Sequence, residues 1–492
     1  MGIEIEEKFD VPPDYTIPDL SRLATVEGPK SYELVALYYD TADLRLAARG
    51  ITLRRRRGGT DPGWHVKLPM GKDARQEITH PLTRSTKVVP QELADLVRAY
   101  TRGAELRVVA DLTTRRSVTV LRDGDDRLVE IADDRVKGTK YGDDTVIVRW
   151  REVEAELLEG GTRELLAKVG KRLRKAGATP SPAASKLARL LEPAPPPVAA
   201  TVPGSAGEVV IAYLAGQVQA LLSQDPRVRR AEEDAVHQMR VASRRLRGTL
   251  KAFRSVVTNT DHVQDELRWI ATVLGEARDL EVIRARFAGE LRDLPPELVV
   301  GPVRNRLGHD LLERERQAYG RINEALSGER YYRLLDALDA LVATPQLGKA
   351  AREPARDKLR DVAEANWRRV TKKYDIAMAV DDLRHREIAM HDVRKAAKRA
   401  RYTAEALRPI LGGRMKRLAK LAERVQEILG AHQDGVVAQE TLLKEAEPAR
   451  RAGEDTFTYG LLVGIERNAA DRAYAEFPRV WKKTMKAARK VF

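Results

Sequence analysis

Cysteine is absent from this chain, which excludes disulfides, thiolate zinc sites and cysteine nucleophiles. Aromatic residues are scarce, at 5%, whereas charged residues reach 33%, a balance that favours helices built from Ala, Leu, Arg and Glu over an all-β chain. No run approaches the roughly twenty uninterrupted apolar residues of a membrane span, and the acidic opening is unlike a secretory signal. The expectation is therefore a cytoplasmic protein without a membrane span.

What is present is length and positive charge. The 492 residues, 43% of them hydrophobic, suffice for two or three packed cores. The net charge of +15 is uneven. Residues 1–200 hold 34 Lys+Arg against 31 Asp+Glu, and residues 201–492 hold 54 against 42. A basic excess of this kind gains by releasing the counterions of a polyanion, whether nucleic acid, anionic membrane or polyphosphate.

The division lies at PAPPPVAATVPGSAG, residues 193–207, which can neither continue a helix nor pair in a sheet. Before it, short alternating segments are separated by turn signals: RGITLRRRR by GGTDPG, WHVKLP by MGKD, VTVLRD by GDDR, then LVEIADD and VIVRWREVEAELL. LRDGDDRLVEIA predicts a hairpin turning at Asp123 and Gly124. After the linker, helical spacing dominates from Val209 onward.

In the first half the charges keep one alternating phase. IEIEEKF puts Glu4, Glu6 and Lys8 on one face of a strand and Ile3, Ile5 and Phe9 on the other. Arg54 with Arg56, Arg75 with Glu77, and Glu152 with Glu154 and Glu156 repeat the pattern, the last trio opposite Val153, Ala155 and Leu157. Alternation alone admits two arrangements. One is a barrel with an apolar filling and a charged exterior; the other has a charged lumen, with its apolar outer faces covered by helices such as PQELADLVRAY and TRELLAKVGKRLRKAG. A lumen of mixed sign needs a ligand of mixed demand: carboxylates offer hard oxygens to Mg²⁺ or Mn²⁺, and Arg and Lys offer donors to phosphate. A chain of phosphates with a divalent ion meets both.

Together Glu4-x-Glu6-x-Lys8, RGITLRRR, the lysine of HVKLP, RQE, EIADD, EVEAEL and Ser185-Lys186 resemble the CYTH domain of the triphosphate tunnel metalloenzymes, over residues 1–192. The resemblance implies an eight-stranded antiparallel β-barrel tunnel with flanking helices. It further implies metal-dependent hydrolysis of inorganic triphosphate or a related compound, or cyclisation of ATP. By motif, Glu4, Glu6, Glu152 and Glu154 are the implied metal ligands, with Glu156 beside them. Lys8, Arg54, Arg56, Lys67 and Lys186 are implied to grip phosphates, with Arg75, Glu77, Glu130 and Asp134 in the lining. Lys8, Glu154 and Glu156 are the catalytic candidates, the general base being one of the two glutamates. Either Arg115 or Arg116 faces the bore.

The second half repeats itself. AVHQMRVASRRLRGTL from Ala235 aligns with AMHDVRKAAKRARYTA from Ala389 at a spacing of 154, and LGEARDLEVI from Leu274 aligns with LGAHQDGVVA from Leu429 at 155, as for duplicated subdomains about an approximate two-fold. His237, Arg240, Arg244 and Arg247 fall within about 80° of helical arc, His391, Arg394, Lys398 and Arg401 repeat the intervals, and Arg245 and Arg399 flank them. One histidine per stripe with no carboxylate at helical ligand spacing argues against a metal site. The sparse Asn and Gln argue against base readout. These blocks resemble the CHAD domain, over residues 208–492, which implies an all-α domain of two pseudo-symmetric helical bundles binding inorganic polyphosphate in the groove between them. The ten stripe residues are then its polyphosphate contacts.

The combined expectation is a triphosphatase joined to a polyphosphate-binding module, cytoplasmic and associated with polyphosphate granules. The alternatives are a non-catalytic polyphosphate-binding protein and an adenylate cyclase, with nucleic acid as the other candidate partner of the basic half.

Overall fold

The computed structural model describes residues 2–71, 74–142 and 144–491, with the side chains of Gly2, Ile3, Leu383 and Arg384 left out. The proposed outward side chain of Ile3 and the Lys72–Asp73 part of the MGKD turn thus lie outside the described set. The chain divides into two compact units, Met1–Pro196 and Pro197–Phe492.

In the first unit β1 (Gly2–Asp10), β2 (Thr25–Asp40), β3 (Thr52–Arg57), β4 (Gly63–Pro69) and β5 (Ala74–His80) precede α1 (Gln91–Thr101). Then come β6 (Arg107–Asp123), β7 (Asp126–Lys140), β8 (Val146–Leu157), α2 (Arg163–Lys175), the two-residue β9 (Thr179–Pro180) and α3 (Lys186–Leu191). The strands run antiparallel in the order β5-β4-β3-β2-β6-β7-β8-β1, and β5 pairs back onto β1, so eight strands close a barrel. The β6–β7 hairpin turns one residue later than expected, on Gly124 and Asp125, where Gly124 takes a left-handed φ of 56°.

The barrel is inverted relative to an ordinary one. Outward-facing Phe9, Leu121, Val129, Ile131, Val153 and Ala155 form a core with Leu166, Val169 and Leu173 of α2. The segment preceding α1 is tied to the outer wall by Tyr39, Arg55 and Trp64, which bond Thr86 O, Thr83 O and Thr83 Oγ1. Once helices and loops cover the apolar faces, pleat alternation sends the even-numbered residues of β1, β3, β6 and β8 into the bore. The third helix was not expected. In α3, Leu187, Leu190 and Leu191 pack on Ala36, Tyr38, Ala110, Leu112 and Val136, filling one end of the bore with an apolar plug.

The second unit is helical: α4 (Ala206–Arg229), α5 (Ala235–Ala252), α6 (Asp261–Asp293), the short α7 (Val303–Asn305), then α8 (Leu311–Leu326), α9 (Glu329–Ala343), α10 (Ala355–Met378), α11 (Leu383–Leu411), α12 (Gly413–Arg451) and α13 (Phe457–Ala488). By length and composition α4 could cross a bilayer. In this fold its Val210, Ile211, Leu214, Leu221 and Leu222 are buried in the unit's core.

The repeated helices α5 and α11 meet at equivalent positions. Gly248 corresponds to Tyr402 in the 154-residue repeat, and a Cβ on Gly248 would stand 2.8 Å from the Tyr402 ring. A two-fold relation brings such a pair together on its axis. The glycines of the two LG blocks have a shared reason as well. A Cβ on Gly275 would lie 3.5 Å from the Arg240 guanidinium, and one on Gly430 would lie 3.2 Å from that of Arg394, so each stripe arginine lies against bare helix backbone.

Candidate functional site

The bore is a cavity of about 510 Å³ lined by Glu4, Glu6, Lys8, Arg54, Arg56, Lys67, Arg75, Glu77, Arg116, Glu130, Glu154, Glu156 and Lys186, among others. Nearly every charged residue singled out in the first half therefore shares one space. Asp134 and Glu152, fully buried and 4% exposed, stand behind it at the α3 end. Arg115 does not belong: it is exposed on the outer face of β6, as its odd position requires, and Arg116 takes the inward place.

Strand register sets the charges in groups. Beside the plug, Lys186 at the first turn of α3 reaches Glu152 and Glu154 at 2.7 Å and Asp134 at 2.9 Å. Arg116 grips Asp134 at 2.6 Å and Glu154 at 2.8 Å, and Lys8 lies 2.5 Å from Glu154. Burial opposes ionisation of Glu154, but Lys186, Lys8 and Arg116 outweigh it and hold its carboxyl well below the usual range. Burial likewise works against the Lys186 ammonium, and Asp134, Glu154 and Glu152 overcome it, raising it well above its ordinary value.

On the neighbouring wall Lys67 bonds Glu4, and Glu77 takes contacts from Arg54 at 3.5 Å and His65 at 2.9 Å. The Nε of Arg54 is buried with no acceptor. Burial and the neighbouring Arg54 depress Arg56 to about 10. Arg56 also meets Asp61 at 3.0 Å, so Arg54 is the donor most in want of an anion.

A third group has the opposite want. Glu130, Glu156 and Glu6 face one another across β7, β8 and β1, three carboxylates in a row. Glu156 has no ion-pair partner among the described residues, and burial, followed by the charges of Glu4, Glu6 and Glu130, pushes it up to about 7. Lys8 lies 3.3 Å from Glu6 and Arg127 3.2 Å from Glu130, so the row is only partly compensated, and hard oxygens crowded in this way suit a divalent cation. Asp134, Glu152 and Glu154 also converge closely enough to ligate an ion, but Lys186 and Arg116 already compensate them.

The four expected metal ligands do not form one set. Glu152 pairs with Asp10 on β1, six residues from Glu4 and about 20 Å away along the strand. One ion cannot span that distance. The structure instead sets Glu6 beside Glu156 and Glu130, and leaves Glu152 and Glu154 with Lys186.

Sequence reasoning missed His65, wholly buried with Nδ1 on Glu77, and the rim residues Lys30, Arg122 and Arg127 that also line the cavity. His65 alternates in phase with Lys67, so that phase was the available signal.

In the helical unit the two stripes meet across the crossing. Arg244 and Arg394 each carry a buried Nε with no acceptor. Burial, then Arg394 and Arg244, lower Lys398 to about 8. His237 and His391 are both lowered, by burial first and then by Arg278 and Lys395 respectively. Arg245 and Arg401 are different, since Glu405 accepts from both, at 3.0 and 2.8 Å, and Arg401 also meets Glu423 at 2.8 Å. They are paired already, as is Arg240 with Asp279 at 3.0 Å, and the expected set of ten contacts shrinks accordingly.

Comparison with known proteins was made against this geometry. A family model described as CYTH domain matches residues 2–191, and one described as CHAD domain matches residues 212–443. Uncharacterized proteins from two strains of Mycobacterium tuberculosis are each 39% identical over 509 aligned residues, covering 99% of this chain and 97% of their own. Among solved structures, PptA from Streptomyces chartreusis is 22% identical at a TM-score of 0.47, covering 56% of this chain and 99% of its own. The CHAD domain from the plant Ricinus communis is 26% identical at a TM-score of 0.45, covering 57% and 94%.

Proposed function

Because the chain belongs to the family that joins a CYTH domain to a CHAD domain, we propose that its barrel hydrolyses inorganic triphosphate and its helical unit binds inorganic polyphosphate. CYTH domains are metal-dependent enzymes acting on triphosphates, as triphosphatases or cyclases, so metal-dependent chemistry on a triphosphate is the premise. One observation carries the finer reading: a single cavity holds a row of three carboxylates, Glu6, Glu130 and Glu156, of which Glu156 has no ion-pair partner among the described residues, beside the cations Arg54, Arg56 and Lys67, with the Arg54 Nε buried and without an acceptor.

The residues divide the work. Arg54, Arg56, Lys67 and Arg116 bind phosphate oxygens by charge-assisted hydrogen bonds and stabilise charge on the transferred phosphoryl group. Glu6, Glu130 and Glu156 would hold Mg²⁺ or Mn²⁺, which when bound neutralises phosphate oxygens and acidifies water. Glu156, pushed up to about 7 in the metal-free bore by burial and the neighbouring carboxylates, is the carboxylate of the row suited to holding a proton, and would accept one from an attacking water. Lys186 and Lys8 hold Glu154 ionised and fix the floor of the bore against the plug.

In the helical unit, unsatisfied guanidinium nitrogens and mutually depressed cations on two equivalent helices support a multivalent anion as ligand. A partner of this kind would also carry the protein to polyphosphate granules. The test is incubation of the full chain with Mg²⁺ or Mn²⁺ and a panel of triphosphates, scoring both orthophosphate and cyclic AMP. Orthophosphate from inorganic triphosphate is expected. Cyclic AMP from ATP as the main product would replace this reading with the cyclase one, and no turnover alongside tight polyphosphate binding would replace it with the non-catalytic one.

A further inference from the structure

The two-fold in the helical unit is broken by charge. Under the repeat, Arg245 corresponds to Arg399, Arg401 to Arg247, Glu405 to Lys251 and, with the one-residue shift, Glu423 to Arg268. At one end of the α5–α11 crossing these positions hold two guanidiniums and two carboxylates, and they pair: Arg245 to Glu405 at 3.0 Å, Arg401 to Glu405 at 2.8 Å and Arg401 to Glu423 at 2.8 Å. At the other end the same four positions hold Arg399, Arg247, Lys251 and Arg268, with no carboxylate among them. One end is neutral and closed upon itself; the other is a cluster of like charges.

Asp265, near Arg247 and Arg268, is the one carboxylate that offsets part of that cluster among the described residues. Arg399 is the strongest influence on Lys251, with Arg369, Arg247 and Arg268 adding to it, and together with burial they lower its ammonium. Burial, then Arg369 and Arg254, lowers Arg399. Among the described residues only Arg268 has an acidic ion-pair partner, Asp265 at 2.6 Å, and that pair is exposed to solvent, where such pairs contribute little. Lys251, Arg254 and Arg369 face solvent, so a ligand can reach them. Arg247 and Lys251 stand 10 and 14 residues from His237, continuing the α5 stripe away from Arg240 and Arg244. On α11 the corresponding continuation ends in Glu405.

We propose that a polyphosphate chain leaves the central groove in one direction only, along α5 to an anion-binding patch of Lys251, Arg254, Arg369 and Arg399, the opposite end being sealed by Arg245, Glu405 and Arg401. The proposal rests on polyphosphate binding by this unit and adds polarity and a second contact site to it. A flexible chain with one charge per unit can follow such a track, whereas a compact anion satisfies only the centre.

The matched variants are Lys251→Glu with Arg254→Glu at the open end, and Arg408→Glu, the repeat equivalent of Arg254, at the sealed end. Binding of long-chain polyphosphate to the full chain is measured over a range of salt. The open-end variant is expected to bind about tenfold more weakly, with a salt slope reduced by about two, because two counterion-releasing contacts are gone. Arg408→Glu is expected to stay within about twofold of the unmodified chain, since it leaves the lost contacts untouched. Arg369→Ala, a truncation on the exposed face of α10, is expected to cost about threefold and carries the test if the double variant fails to fold. Equal loss at both ends, no loss at the open end, or loss of duplex DNA binding without loss of polyphosphate binding would each overturn the polarity. Failure of the unmodified chain to bind polyphosphate at all would instead overturn the reading on which it rests.

Discussion

Lys186→Met isolates the electrostatics of the bore. The variant keeps the length and greasiness of the side chain beside the α3 plug and removes only the ammonium that meets Asp134, Glu152 and Glu154 within 2.9 Å. Of these three carboxylates, none more than 8% exposed, Asp134 and Glu154 then depend on Arg116 and Lys8, and Glu152 keeps only the Trp150 indole N–H. Breaking a buried ion pair from one side costs about 3–5 kcal/mol, and for a unit of this size each kcal/mol moves the midpoint about 2–4 °C, so a fall of roughly 6–20 °C is expected. The pH dependence gives the sign. In the unmodified protein Glu154 has a folded pKa below its unfolded one, so its contribution is present above the unfolded value and lost as pH falls through the folded one. Without Lys186 the burial of Glu154 is opposed only by Lys8 and Arg116, so its carboxyl is less depressed and contributes less. The gap between the two proteins therefore widens as pH rises through the acid range toward the ordinary carboxyl value of 4.5. Scanning calorimetry of the full chain across that range reads it, following the lower transition if the units melt separately. A fall below about 2 °C, or a gap independent of pH, would refute the reasoning.

Three further outcomes follow from the same geometry. Glu156, raised to about 7 from an ordinary 4.5, stabilises the fold most below 4.5 and loses that contribution as pH climbs to about 7, at most roughly 3 kcal/mol. Glu156→Gln should accordingly raise the metal-free midpoint at pH 8 while abolishing much of the stabilisation by added Mg²⁺; an unchanged Mg²⁺ response would count against its place in the metal row. Arg116→Ala should lower triphosphate turnover by about 10²-fold or more, and Arg115→Ala should leave it within about twofold, because only the even-numbered residue faces the bore. Arg240→Glu with Arg394→Glu should weaken long-chain polyphosphate binding while sparing turnover in the barrel; equal loss of both activities would break the division of labour.

Much of this was legible because the side chains encode it locally. Period-two alternation in IEIEEKF and EVEAELL sorts charge from grease without reference to any partner, and the chemistry of mixed charges favours the lumen over the exterior. What was not legible depends on register. Arg115 and Arg116 are neighbours in a long strand, and shifts in the ladder after Glu27 and at Leu121 defeat counting from a distant turn. Glu152 reads like Glu154 and Glu156, and only the pairing with Asp10 and Asp134 places it with Lys186 instead of with Glu6. Lys186 is named only through the Ser185-Lys186 motif, because it reaches the bore from a helix whose leucines carry no strand signal. In the helical half the stripes can be counted on the page, and so can the i,i+4 pair of Arg401 with Glu405, but the loss of Arg245 to Glu405 arises across a crossing that brings together residues 160 apart.

The central claim is that the charged bore holds a triphosphate with a divalent ion and cleaves it. Orthophosphate release from inorganic triphosphate, measured for the full chain with Mg²⁺ or Mn²⁺, after chelation, and for Arg116→Ala, tests it most directly. The account predicts release that needs the metal and collapses in the variant. Release that survives both chelation and loss of Arg116, or no release from any triphosphate with either metal, would contradict it.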